Sequence, residues 1–370
     1  MKIETMLYVY LAVCAGMIVF NIVTALVLRY KDKRTVRISE DFRYQVTLQL
    51  ARVEQGQPVE SRHKKYLQRK LKRVGNMIAF DRMLEKTYAE HADIIKDYLS
   101  QLDSVFIALT VAYCGKDRIE AAYFPYIIKK YRLIAFRPFP SIVGTLLGML
   151  REPSIYCREN AMQALYTTGD ADCIVQAVRI IDSSDLFFHG KLLADGMLNF
   201  AGNKRELDDK LTVQFDSFSD EMKVTLLNYL RFSTNRYREF AYQLLCDEKQ
   251  NDEIRYACIR YLGKYRLDEA YPKLCELAGN GGAMKWEYAA IASTALAIYP
   301  GERTVELLKN NLYSQNWYIR FNSSESLERL GLTYAQLADV IDGKDRYAAE
   351  IIRYRLEHNR NEEGREAGLC

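Results

Sequence analysis

The chain has 370 residues, 49% of them hydrophobic, with seven prolines and nineteen glycines; that is ample for a core, in one elongated or two compact domains, and it favours long helices. The net charge of +4 is unevenly placed, with a net +9 on residues 29–73, zero on residues 1–28 and −5 on residues 74–370. A mildly acidic body argues against a nucleic-acid-binding protein, which needs a positive face.

After a short N-terminal stretch, residues 1–5, Met6 to Leu28 run for twenty-three residues without a charge. At about 1.5 Å per residue such a helix crosses a hydrocarbon core of roughly 30 Å. Arg29, Lys31, Lys33, Arg34 and Arg37 follow, with only Asp32 among them, whereas Lys2 and Glu4 cancel ahead of the run. Cations stay on the cytoplasmic side. The expectation is a single-pass cell-membrane protein, its N-terminus outside and residues 29–370 in the cytoplasm. A cleaved signal peptide would have a shorter apolar stretch and a small-residue cleavage site. Leu11-Ala12-Val13-Cys14 resembles a lipoprotein box, but Val13 is bulky for it and the apolar run continues beyond. Cys14 therefore reads as one more lipid-facing residue. The eight cysteines form no Cys-x-x-Cys pair and have no histidine at metal-ligand spacing. They read as small core residues in a reducing compartment.

Residues 29–100 read as a basic juxtamembrane spacer. Arg62, Lys64, Lys65, Arg69, Lys70, Lys72 and Arg73 fall in one window without an acid, and Leu67, Leu71, Val74 and Ile78 recur at helical spacing. Two readings are open. The helix lies along the anionic inner leaflet, where each cation contributes about 1 kcal/mol, or its apolar stripe packs on residues 40–54.

From residue 101 to 357 the chain reads as helix pairs. Asp103 to Ile128 forms a degenerate pair, with Ala108, Ala112 and Gly115 on one side of a turn. Pro138 and Pro140 precede a helix at Ser141–Leu150. A ladder then recurs at positions 0, +3, +7 and +11. It runs Arg158, Ala161, Leu165, Gly169; then Lys191, Ala194, Leu198, Gly202; then Lys223, Leu226, Leu230, Thr234. The later copies are Arg255, Cys258, Leu262, Arg266; Ala289, Ala292, Leu296, Pro300; and Arg320, Ser323, Leu327, Gly331. The first positions are 33, 32, 32, 34 and 31 residues apart. These positions share one helical face. A small residue at +3 admits a neighbouring helix, leucine at +7 fills the core, and glycine at +11 suits a left-handed helix end. A second apolar segment follows each ladder, so each unit is a pair of antiparallel helices that buries its face only against its neighbours. Residues 345–357 read as a polar-faced cap, and 358–370 as a disordered tail.

Cys157-Arg158-x-x-Ala161-x-x-Ala164-Leu165-x-x-x-Gly169 and Ile319-Arg320-x-x-Ser323-x-x-Ser326-Leu327-x-x-x-Gly331 resemble the Val-Arg-x-x-Ala-x-x-Ala-Leu-x-x-x-Gly core of short HEAT-like repeats of the phycobilin-lyase type. The resemblance covers residues 154–342. It implies an all-α fold in which an N-terminal transmembrane helix is followed by an α-solenoid of HEAT-like pairs. Lys223 with bulky Leu226, and Ala289 in place of a basic residue, depart from the pattern.

Catalytic motifs are not found. His63, His91, His189 and His358 form no His-Glu-x-x-His site, and Glu90-His91 and Glu357-His358 reverse the His-Glu order of HEAT-type iron hydroxylases. Asp170-Ala171-Asp172 resembles a glycosyltransferase metal motif but falls where aspartate caps a helix. Gly279-Asn280-Gly281-Gly282 lacks the Gly-Lys-Ser/Thr of a phosphate loop, and no Gly-x-Ser-x-Gly turn occurs. Trp286 and Trp317, each three residues before a first position, read as packing between repeats. The 27 tyrosines read as bridges between helix pairs with surface hydroxyls. No enzyme activity, cofactor, metal, nucleic acid or small-molecule substrate is expected. The order of parts resembles bacterial membrane-anchored HEAT-repeat proteins associated with membrane glycosyltransferases. That implies a scaffold for a protein partner, with an accessory role in envelope polysaccharide synthesis. A lyase-type enzyme is the alternative implied by the same repeats.

Overall fold

One helix opens the computed structural model: α1 runs from Ile3 to Glu54, 52 residues or about 78 Å. Residues 3–88, 91–114, 118–135, 139–279 and 285–367 are described; they hold α-helices and short 3-10 turns and no strand. Gly115, Pro138 and Asn280-Gly281-Gly282 lie outside them. The chain divides into two units, Met1–Leu186 with Ala201–Asn203, and Phe187–Phe200 with Lys204–Cys370.

In the first unit α1 is the one described helix long and apolar enough to cross a bilayer, and its most apolar window is wholly exposed. A signal sequence passes the same test. There is no break after Leu28, where the spacer was expected to begin. No proline occurs between Met1 and Gln57, so nothing removes a helical hydrogen bond. The helix ends at Gly56, whose φ of 72° sets a left-handed turn. There Gly56 N–H donates to Val53 O at 2.9 Å and Gln57 N–H to Arg52 O at 2.9 Å, a Schellman cap with Pro58 just beyond.

The remaining helices of this unit are α2 (Ser61–Lys70), α3 (Val74–Tyr88), α4 (Ala92–Ser100), α5 (Asp103–Cys114), α6 (Arg118–Ala121), α7 (Tyr123–Lys130), α8 (Pro140–Met149), α9 (Ile155–Leu165) and α10 (Ala171–Asp182). Phe42, Val46 and Leu50 form a buried stripe at fourfold spacing on the last third of α1, which packs on α3 and α4. The rings of Phe42 and Phe80 meet edge to face at 5.5 Å. Gln49 and Gln101 side-chain oxygens accept from Glu60 N–H at 3.0 Å and Val59 N–H at 2.8 Å, satisfying the loop that Pro58 opens. Asp170 caps α10, accepting from Asp172 and Cys173 N–H groups, as expected of it.

His63 is buried, with Nε2 2.8 Å from the Tyr98 hydroxyl. Burial lowers its pKa from 6.5 to about 4, against a smaller upward pull from Glu60. Between these values the unfolded chain binds a proton that the folded chain refuses. His63 therefore adds stability above pH 6.5 that is lost as pH falls towards 4, at about 1 kcal/mol per pH unit. Urea midpoints of the detergent-solubilised full chain at pH 7 and pH 5 should differ less in His63→Gln than in the wild type. An equal difference in both would refute this.

The second unit contains α11 (Gly190–Met197), α12 (Lys204–Val213), α13 (Asp220–Ser233), α14 (Arg238–Cys246), α15 (Asp252–Leu262), α16 (Tyr271–Gly279), α17 (Trp286–Ala295), α18 (Glu302–Asn311), α19 (Trp317–Arg329), α20 (Ala338–Ile341) and α21 (Arg346–Ala367). The odd-numbered helices pack one on the next from α11 to α21, while α14, α16, α18 and α20 each pack on the first helix of the following copy. The register repeats. Asn322 donates to Ala290 O and Ser326 to Ser293 O, both at 2.8 Å. Trp286 stacks on Tyr318, and Tyr256 meets Tyr288 edge to face. Partners 32 or 33 residues apart along both helices mean that neighbours run parallel, in step by one copy.

The ladder maps onto these contacts. Ala161, Leu165, Ala194, Leu262, Leu296 and Leu327 are buried, and Leu198 is half-buried. The basic first positions tie their helices to the preceding segment: Arg158 donates to Glu152 O at 2.7 Å, Arg255 to Leu245 O at 3.1 Å and Arg320 to Ser314 O at 2.7 Å. Gly169 and Gly331 take the left-handed conformation, with φ of 74° and 77°. Gly202 does not. Its helix, α11, stops at Met197, so residue 202 lies past the end. The tyrosines also differ from expectation. Tyr113, Tyr229, Tyr261 and Tyr299 are fully buried, hydroxyls included, and donate to Leu71 O, Asp208, Thr234 O and Leu262 O. A buried hydroxyl needs such a partner, and loop carbonyls of the neighbouring pair supply it. Finally, α21 continues to Ala367, beyond the cap boundary at Glu357 and into the stretch read as a disordered tail.

Candidate functional site

The first helices of the second unit bury positions 0, +3 and +7 and leave another face open. Along it runs a groove of about 600 Å³. The end of α13 contributes Arg231 and Phe232, and the end of α15 contributes Arg260, Gly263 and Lys264. Ile291, Ala295 and Ile298 of α17 and its 3-10 extension make an apolar floor, and Asn322 and Arg329 of α19 close the far side. The positions recur by copy: Arg260 and Thr294 are five residues after their ladder starts, and Lys264, Ile298 and Arg329 are nine after.

Four cations line the groove and no carboxylate does. Lys264 Nζ lies 4.5 Å and Arg231 Cζ 4.8 Å from the centre of the Phe232 ring, which holds both by cation–π attraction. Burial, and then the neighbouring Arg260, push the Arg231 guanidinium below its ordinary value. Its Nε is buried without a hydrogen-bond partner. Such a site favours an anion that brings apolar surface with it. The floor depends on Gly263, where a Cβ would stand 2.7 Å from Ala295 Cα.

The basic window of the first unit is placed differently from a lipid-embedded amphipathic helix. Leu67 and Leu71 are buried inside the unit, where α2 packs on α5 and Tyr66 meets Phe42. α2 stops at Lys70, leaving Lys72 and Arg73 in the turn before α3. The apolar stripe is thus spent on protein, while Arg62, Lys65, Arg69, Lys72 and Arg73 stay exposed and Lys64 and Lys70 half-buried.

Cys157, Cys173, Cys258 and Cys275 are buried, as core residues should be, and burial pushes the Cys157 thiol up to about 11. Cys114 and Cys246 are exposed instead. His189 caps α11 by accepting from Lys191 N–H. Trp286 and Trp317 start α17 and α19; both stay partly exposed while their rings contact Tyr318. Among the described residues no three His, Cys, Asp or Glu side chains are grouped to hold a metal. Comparison with protein-family models and with curated proteins returns no match for this chain.

Proposed function

We propose that this chain is a membrane-anchored scaffold whose second unit is a short array of stacked HEAT-like pairs. Its groove holds an acidic segment of a protein partner at the cytoplasmic membrane face. The observation that carries this reading is the set of Arg231, Arg260, Lys264 and Arg329 around an apolar floor, with no acid among them. An acidic peptide with apolar side chains complements both features. The parallel, in-step packing of successive first helices supports the solenoid reading of this unit. Met6–Leu28 supplies the anchor. The helix passes unbroken from that run into the packed stripe of Phe42, Val46 and Leu50, and the cations after Leu28 place the units inside. Tethering raises the effective concentration of any partner resident in the same membrane. The resemblance to membrane HEAT-repeat proteins supports an accessory role beside a membrane glycosyltransferase of envelope polysaccharide synthesis, without chemistry of its own.

The basic stripe on the first helices also favours a second reading, nucleic-acid binding. Four cations over an apolar floor provide few phosphate contacts, which ranks it lower. A photo-crosslinking residue at Phe232 of the full chain in intact cells separates the two. The expected product is a nuclease-resistant adduct with a membrane protein, reduced at least tenfold by R231E/R260E/K264E. Capture unchanged by the charge reversal would refute the groove, and a nuclease-sensitive adduct would establish the second reading.

A further inference from the structure

A second cationic cavity lies in the first unit, close to the end of the apolar run. It measures about 700 Å³ and is walled by α1, α2 and the start of α3. Arg34 and Arg37 enter from α1, and Arg69, Lys70 and Arg73 from the end of α2 and the turn after it. Its one carboxylate, Asp41, already accepts the Tyr66 hydroxyl at 2.9 Å. None of the five cations makes an ion pair with a described carboxylate. Lys70 instead lies over the Tyr66 ring, 5.6 Å from its centre. Asn76 donates to Lys70 O at 2.8 Å and fixes the wall where α2 gives way to α3. Four guanidiniums and an ammonium converging without counter-charge repel one another, and a bound anion relieves that. Guanidiniums also grip phosphate oxygens in pairs.

Position selects the source of the anion. α1 is continuous, so Arg34 and Arg37 stand a fixed rise of about 9 and 14 Å beyond Leu28. The headgroup layer extends about 5–8 Å outside the hydrocarbon, and an arginine side chain spans the rest. We propose that this cleft binds a phosphate-bearing anionic group, supplied by a lipid headgroup of the leaflet from which α1 emerges. The shared chemistry is phosphate recognition; the lipid source rests on the reading that Met6–Leu28 spans the bilayer. Arg69, Lys70 and Arg73, expected to spread over a membrane surface, act here as one wall of a built pocket.

The test uses the full chain in neutral detergent, with thermophoresis against dihexanoyl phosphatidic acid, dihexanoyl phosphatidylcholine and inorganic pyrophosphate. The wild type should bind phosphatidic acid and not phosphatidylcholine. R37Q/R69Q/R73Q should weaken phosphatidic acid at least thirtyfold. R43Q/K86Q/K129Q, which removes three exposed cations elsewhere on the unit, should change it less than threefold. Equal loss in both variants would mean diffuse attraction and overturn the site, as would no binding of either phosphate probe. Pyrophosphate binding lost in the first variant, with no lipid binding, would keep the phosphate site and overturn the lipid source. Alkaline extraction of cell membranes tests the anchor separately. A chain released into the supernatant would end the spanning reading without affecting the pyrophosphate result.

Discussion

Replacing Gly263 with valine should destabilise the second unit by about 4 kcal/mol, read as a large drop in its thermal midpoint by circular dichroism. Gly263 follows the last turn of α15 with φ −76°, so left-handed strain plays no part. The constraint is approach. A Cβ there would lie 2.7 Å from Ala295 Cα and 2.8 Å from Ala295 Cβ. Those atoms belong to the neighbouring first helix, fixed by its own contacts to α19. No flexible side chain can move aside, so α15 and α17 must separate. Separation opens gaps beside Leu262 and Leu296, both fully buried, and lost packing adds to the overlap. Alanine should cost less, about 1–2 kcal/mol, because part of the overlap is offset by its better helix propensity. Gly331 provides the contrast. It has φ of 77° and open space around it, so alanine there meets only backbone strain of about 1 kcal/mol. A valine variant at 263 that melts with the wild type would show that the two helices do not meet as closely as described.

What the sequence reveals is the buried side of the second unit. Periodicity reports burial, so the ladder through Leu262, Leu296 and Leu327 locates the first helices and the residues between them. Ser219, Asn251 and Asn316, four residues before Lys223, Arg255 and Arg320, cap α13, α15 and α19; the same spacing argument would have found them. The groove was not seen because its cations sit at +5, +8 and +9, off the buried face, within a body whose net charge is negative. The cleft was missed for another reason. Arg34 and Arg37 are separated from Arg69 and Arg73 by more than thirty residues, and only the return of α2 against α1 joins them. Hydroxyl partners such as Tyr299 with Leu262 O are set by which loop carbonyl stands opposite, and periodicity carries no such information.

Asp81→Ala should cost the first unit about 3–5 kcal/mol. Asp81 is buried on α3, its side chain 7% exposed. It accepts the Tyr123 hydroxyl at 2.8 Å, the Tyr131 hydroxyl at 2.7 Å and Lys130 Nζ at 2.7 Å. One carboxylate therefore ties α3 to the end of α7 and the turn after it. Lys130 reaches Glu85 as well, at 2.6 Å, but Glu85 is 56% exposed and its pair is screened. Alanine would leave two hydroxyls without their buried acceptor and the ammonium with only the screened one. Glu85→Gln should then cost less than about 1 kcal/mol. The pH dependence gives an independent reading. Burial and the bonds to Asp81 raise both tyrosines above their ordinary value of 10.0. For Lys130 burial works downwards, yet its hydrogen bonds to Asp81 and Glu85 leave it above 10.5. Groups raised in the folded state contribute stability that is complete below their unfolded pKa and disappears as pH rises through the folded one. The wild type should therefore lose stability above pH 10 more steeply than Asp81→Ala, whose tyrosines no longer depend on a neighbouring carboxylate. Equal alkaline slopes, or a loss for Asp81→Ala no larger than for Glu85→Gln, would remove Asp81 from the centre of the unit.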